Sequence, residues 1–216
     1  MPSKTCQELH SSYLDKRNLI RSRLREFKQV FEQGDDRRVF EELVFCIFTA
    51  NASAKMGIKA VDAVKDILVS AGTEELSNRL RRVHRFPNAR ARYIVHTREF
   101  LKRGFDFKLK DTILSFSDHL ERRDFFAGHR DIKGIGYKEA SHFLRNIGFS
   151  GYAILDKHIL QSLYEFGVIE NPKPPATRDK YLQIETKFKG FANKLEIDSD
   201  ELDLLLWSEK TGEILK

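Results

Sequence analysis

Residues 39–50, Val-Phe-Glu-Glu-Leu-Val-Phe-Cys-Ile-Phe-Thr-Ala, are apolar around most of a helical wheel. A helix of that kind has to be covered on several sides at once, which calls for a shell of other elements around it. The rest of the chain supplies that shell in helical form. Ile20, Leu24, Phe27 and Phe31 recur at helical spacing and predict an amphipathic helix over roughly 6–33, ending near Gly34. After a polar break at 51–53 the pattern returns with Ile58, Val61, Ile67 and Leu68 and stops near Gly72. Asp118 to Glu121 has the spacing of a capping box, and 182–195 and 201–207 continue the 3.6-residue period. Alternating runs of strand type are scarce, and the proline-rich stretch 170–177 reads as an extended connector. The predicted fold class is all-α.

With 216 residues, 41% of them apolar, the chain is long enough for one sizeable unit or two small lobes sharing a cleft. Its formal net charge of +6 favours a polyanionic partner. That charge is uneven. Between Arg79 and Arg103 there are nine Lys or Arg against Glu99 alone, so this segment is the best candidate for contacting phosphates, with a solvated helix face as the alternative. The last 21 residues carry seven acids against Lys210 and Lys216, and DNA should avoid most of them. The two cysteines, Cys6 and Cys46, lie far apart and provide no metal-ligand spacing, and two are too few for a four-cysteine iron-sulfur cluster. The beginning of the chain lacks an apolar signal core, and no stretch is apolar for long enough to span a membrane. The expectation is an intracellular protein of the cytoplasm or nucleoid.

Residues 131–148 place Gly134-Ile135-Gly136 between two helical stretches, with Ala140, Phe143 and Leu144 forming the apolar face of the second. Two glycines allow a tight turn with positive φ, and the turn opens directly into the positive end of a helix. Such a hairpin can hold a DNA phosphate without reading sequence. A dinucleotide-binding turn would need a third glycine where Glu139 stands, and a strand before it.

At these residues the chain resembles the helix-hairpin-helix DNA glycosylases, whose hairpin follows the pattern Gly-Ile/Val-Gly-x-Lys-x-Ala. Here it is Gly134-Ile135-Gly136-Tyr137-Lys138-Glu139-Ala140. The resemblance places the family's catalytic lysine on Lys138. It places the essential aspartate on Asp156, eighteen residues further on in Tyr-Ala-Ile-Leu-Asp-Lys-His. Within the superfamily the chain is most similar to the compact archaeal-type 8-oxoguanine glycosylases, judged by 154–160, by 48–60, by Trp207 near the end and by the terminal Lys216. The resemblance implies a two-lobed monomer acting on duplex DNA that carries 8-oxoguanine or abasic sites, with the active site in a cleft between the lobes. On that reading 36–125 is a central bundle, 126–170 holds the hairpin and the aspartate, and 1–35 with 171–216 forms a second lobe. No cofactor is implied beyond a candidate monovalent cation at the hairpin carbonyls, and no catalytic metal.

The chemistry can be argued from the side chains themselves. Breaking an N-glycosidic bond develops positive charge at the sugar C1′, which a carboxylate such as Asp156 can stabilise while helping to deprotonate the nucleophile. Lys138 attacks only as the neutral amine, a form favoured by the positive end of a helix and by partial desolvation. An imine at C1′ then acidifies C2′ and permits β-elimination, so glycosylase and AP-lyase activities are expected together. The plain alternatives are a solvated Lys138 in a noncatalytic hairpin and an Asp156 that only caps its helix.

A flipped base needs stacking surfaces, for which Phe86 and Trp207 are the candidates. Telling 8-oxoguanine from guanine needs an acceptor at N7, and the resemblance points to Lys216, through its terminal carboxylate, with Asp203 as a second candidate. Asn51 aligns with the loop that the superfamily inserts opposite the flipped base and also reads as the end of a helix. Together with the hairpin glycines, Arg85 and Arg90 complete the expected DNA contacts. The competing functions are a glycosylase for another lesion, a noncatalytic DNA-binding hairpin and, third, a metal-dependent nuclease built on Asp156 and His158.

Overall fold

The computed structural model describes residues 5–215, and among these every regular element is an α-helix. In chain order they are α1 (Cys6–Gln33), α2 (Asp36–Thr49), α3 (Ala54–Val64), α4 (Thr73–Leu80), α5 (Pro87–Phe105), α6 (Leu109–Leu114), α7 (His119–Gly128), α8 (Tyr137–Asn146), α9 (Lys157–Glu165), α10 (Arg178–Lys194) and α11 (Ser199–Thr211). The all-α expectation holds. No helix among them is long and apolar enough to cross a membrane. The chain divides into two compact units, one running from Gln29 to Ile147 and the other joining the residues before it to those from Gly148 onward. The boundary therefore falls inside the segment 126–170, so that the hairpin belongs to the first of these units and Asp156 to the second.

In the 29–147 unit α2 is the axis. Asp35 caps it, accepting from Arg38 N–H at 2.8 Å, and Val39, Phe40 and every residue from Leu43 to Phe48 are buried. Helices α3, α5, α6 and α8 pack around it. A Cβ at Gly57 would stand 2.6 Å from Thr49 Cγ2 and 2.9 Å from the Phe45 ring, so glycine is what lets α3 approach α2 this closely. Phe45 meets the His142 ring of α8 edge-on at 5.5 Å. The acid inside the apolar run, Glu42, is buried yet paired, with Arg38 at 2.7 Å and Asn146 at 3.3 Å. The third predicted helix ends earlier than its apolar pattern suggests, at Val64, and Ile67 and Leu68 lie in the turns that follow.

In the other unit α1 buries Leu9, Tyr13 and Ile20, and α11 buries Leu202 and Leu204 to Leu206. Tyr13 Oη donates to Glu201 at 2.5 Å and Arg21 Nε to the same carboxylate at 2.8 Å. Gly148, with φ of +90°, crosses the backbone of Lys28 so closely that a Cβ would lie 2.5 Å from Lys28 Cα.

Candidate active site and nucleic-acid interface

The hairpin between α7 and α8 is seated on one face of α5. Asp131 lies in the turn after α7, where its N–H donates to His129 Nδ1 at 3.1 Å, and its carboxylate meets His96 Nε2 at 2.9 Å. Lys133 N–H donates to Thr97 Oγ1 at 3.0 Å, and a Cβ on Gly134 would be 2.7 Å from the Tyr93 ring. Residues 93, 96 and 97 share a helix face, so α5 offers the turn a continuous seat. Ile132 and Ile135 are buried beside it. Gly134 has the positive φ expected of the turn, +77°. Gly136 does not: at φ −109° and ψ −168° it is an extended N-cap residue. Its missing side chain leaves the start of α8 open rather than supplying a left-handed turn.

Lys138 is the second residue of α8, with 26% of its side chain exposed and Nζ 2.9 Å from Glu139 Oε1. The other oxygen of Glu139 accepts from Gly136 N–H at 3.2 Å. On the other flank, Tyr137 Oη donates to Asp124 of α7 at 2.5 Å. Ala140, Phe143 and Leu144 of α8 are buried, as is Ile147 just beyond its end.

In the second unit, Asp156 is the N-cap of α9. Its Oδ1 accepts from His158 N–H at 2.8 Å and from Ile159 N–H at 2.9 Å, and the residue is partly exposed. The capping reading is thus correct for this residue, and it occupies only one of the two carboxylate oxygens. What holds Asp156 in place is the extended stretch before it. Asp200 accepts from Gly151 N–H at 3.1 Å, Glu185 from Ala153 N–H at 2.9 Å and Asp203 from Ile154 N–H at 3.3 Å. Tyr181 Oη donates to Ala153 O at 2.7 Å. The acids of α10 and α11 therefore stand in for the neighbouring strand that 151–155 lacks. Sequence reading missed this, because an acid at a helical position gives no sign that its partner is a distant backbone amide. Asp203 is buried, and its carboxylate is committed to the Ile154 amide. Trp207 is partly buried one turn further along α11. Lys216 lies outside the described residues.

The remaining candidates converge at the C-terminal end of α2. Asn51 takes the left-handed conformation at φ +60°. Arg85 Nη2 donates to Asn51 O at 2.8 Å, Arg90 Nη2 donates to Ala50 O, and His84 Nε2 stands 2.9 Å from Phe48 O. Cationic and donor groups are favoured at this negative end of the helix. The Arg85 guanidinium that holds Asn51 O also lies 4.6 Å from the centroid of the Phe86 ring, and Phe86 is 40% exposed. Arg90, expected among the DNA contacts, is buried, as is Arg98, whose guanidinium holds Leu68 O and Ala71 O at 3.0 and 2.8 Å. The other basic residues between 79 and 103 are exposed. Burial lowers the affinity of the His84 ring for a proton, against the pull of its hydrogen bond to Phe48. Phe86 N–H donates to His84 Nδ1 at 3.0 Å, so both ring nitrogens are satisfied when the ring is neutral and carries its proton on Nε2.

An all-helical chain that presents a glycine hairpin, seated on one helix and opening another with a lysine at its second position, defines a helix-hairpin-helix protein. The family model described as 8-oxoguanine DNA glycosylase matches residues 20–197, and the chain belongs to that family. The 8-oxoguanine DNA glycosylase/AP lyase of Methanocaldococcus jannaschii is 40% identical over 99% of this chain and 98% of its own. The crystal structure of the Thermotoga maritima 8-oxoguanine DNA glycosylase superposes with a TM-score of 0.88 at 37% identity, covering 98% of each chain. That of the M. jannaschii glycosylase/lyase in complex with 15mer DNA containing 8-oxoguanine gives 0.86 at 38% identity, covering 97% of this chain and all of the other.

Proposed function

We infer that this chain removes 8-oxoguanine from duplex DNA and then cleaves the strand at the resulting abasic site, with Lys138 as the attacking amine and Asp156 as its partner carboxylate. Family membership over most of the chain makes it a bifunctional glycosylase and AP lyase. The observation that supports the roles is the place of Lys138: second residue of the helix that the hairpin opens, a quarter exposed, directly after an exposed glycine N-cap with no side chain to screen the helix start.

The amine of Lys138 forms a bond to C1′ as the bond from C1′ to the base nitrogen breaks, and the base leaves with that electron pair. Asp156 lends negative charge to the developing cation at C1′ through the oxygen its helix cap leaves over. Loss of the ring oxygen bond gives an imine, a proton leaves C2′, and the 3′ phosphate departs by β-elimination. Water then releases Lys138. Amine, carboxylate and water suffice for every step.

Phe86, exposed and stacked on the Arg85 that holds Asn51, is suited to fill the space that the flipped base vacates or to stack beside it. Trp207 is the stacking surface proposed for the base, and Lys216 a residue proposed to take part in its recognition. Asp203 is better explained as a support for the segment leading to Asp156. Arg85 and the hairpin 134–136 are proposed to contact the DNA backbone, with a monovalent cation at the hairpin carbonyls as an accessory.

Borohydride trapping on duplexes with 8-oxoguanine, guanine or an abasic site tests the reading. A covalent complex on 8-oxoguanine DNA that is lost in Lys138→Gln is expected. Trapping on abasic DNA alone would move the substrate to another damaged base. No adduct with binding intact would leave a noncatalytic hairpin.

A further inference from the structure

Lys138 and Glu139 are successive residues of α8, and successive helical side chains diverge by about 100°. A contact of 2.9 Å between Lys138 Nζ and Glu139 Oε1 is therefore not a by-product of helix geometry. It exists because Glu139 turns back to the helix start, where Oε2 accepts from Gly136 N–H at 3.2 Å. A carboxylate at this third position is half of a capping box, whose other half is a polar side chain on the N-cap residue. Gly136 has none, so Glu139 is the side chain that ties the hairpin turn to the amine. The pair is partly withdrawn from water, with side-chain exposures of 26% for Lys138 and 15% for Glu139.

We propose that Glu139 is a positioning residue for the reaction assigned to Lys138: its carboxylate fixes Nζ relative to Gly136, so that the amine and the backbone held by the turn are brought to C1′ in register. The proposal rests on Lys138 being the attacking group. A lysine side chain left free samples many rotamers, and the entropy of ordering it would fall on the attack itself. Placement by a short tether removes that cost, and it depends on the length of the tether and on an acceptor oxygen within reach of both groups more than on net charge. Glutamine supplies one carbonyl oxygen at the same reach, together with an amide that can rotate to leave that oxygen between Gly136 N–H and Nζ. Aspartate keeps the charge but is one methylene too short to serve both ends.

The test is the single-turnover rate of imine trapping at saturating 8-oxoguanine duplex for the parent, Glu139→Gln, Glu139→Asp and Glu139→Ala. Duplex affinity is measured in parallel on a tetrahydrofuran abasic analogue. Alanine and aspartate are expected to slow trapping about a hundredfold, the loss that displacing a reacting group by about 1 Å produces. Glutamine should stay within a few-fold of the parent, and affinity should hold in all three. If alanine does not fold, the contrast between glutamine and aspartate decides. Parent-like trapping by alanine or aspartate would reduce Glu139 to a helix cap, and glutamine as slow as alanine would make charge, not placement, its contribution. Either result overturns the proposal. Failure of the underlying reading looks different: the parent gives no adduct on any duplex, or Lys138→Gln still gives one.

Discussion

Asp156 shows how one side chain can carry two duties at separable atoms. Its Oδ1 takes both amides of the helix start, so the cap and the proposed electrostatic role draw on different oxygens. Asparagine is as good a cap as aspartate, and Asp156→Asn should cost at most about 1 kcal/mol of stability. It should nevertheless slow base release by orders of magnitude, because the negative charge is gone. Thermal melting beside single-turnover kinetics checks this, and a variant with parental rates would confine Asp156 to capping. His84 gives a second prediction. Its proton affinity is lowered in the folded state, so the unfolded chain takes up the proton first as pH falls. The stability it contributes is complete above the ordinary histidine value of about 6.5 and is lost as pH drops from there toward the folded value. Protonation would also set an N–H against Phe86 N–H and loosen the segment that presents Phe86. An NMR titration placing the His84 midpoint above 6.5 would contradict this.

At the level of elements, the hairpin depends on α5 as much as on its own residues. Gly134→Ala would put a residue with a side chain at φ +77°, about 1–2 kcal/mol in backbone strain, and push Cβ into the Tyr93 ring. The expected result is weaker binding to damaged and undamaged duplex alike, read by fluorescence anisotropy, with far-UV dichroism preserved. Gly148→Ala should destabilise more, since the atom in its way is Lys28 Cα, which cannot rotate aside as a ring can. Differential scanning calorimetry of the two variants orders them, and the reverse order would refute the argument. In the clamp on 151–155, Asp200 and Asp203 of the acidic last 21 residues, together with Glu185, accept from backbone amides, which gives these acids a structural duty.

Across the whole molecule, charge bears on both stability in acid and affinity for DNA. Hydrogen bonds from His96 to Asp131, Arg98 to Glu99 and Lys210 to Glu165 hold these carboxyls below their ordinary values. The stability they lend is present above the unfolded carboxylate values near 4 and is lost as pH falls through the lower folded values. Denaturant midpoints should accordingly fall below about pH 4, and Asp131→Asn should flatten that decline. For DNA, exposed Arg81 and Arg82 stand in the basic segment whereas Arg90 and Arg98 are spent inside. Arg81→Glu with Arg82→Glu should lower affinity for all duplexes and reduce the slope of log affinity against log salt, while Arg90→Gln should act through stability. An unchanged slope in the double variant would place the DNA elsewhere.

The sequence by itself determined the all-helical class, the buried axis at 39–50 and the glycine hairpin, because each is written in local periodicity or turn chemistry, while Lys138 and Asp156 stood out through the family pattern that their surroundings resemble. It could not separate Arg90 from Arg81, since burial depends on which carbonyls a fold leaves unmet nearby, nor say that of the two hairpin glycines Gly134 takes positive φ and Gly136 does not. Those choices, with the amide clamp before Asp156 and the Glu139 tether, belong to the tertiary structure. They arise from pairs of groups whose hydrogen bonds become obligatory only when packing has removed water from around them.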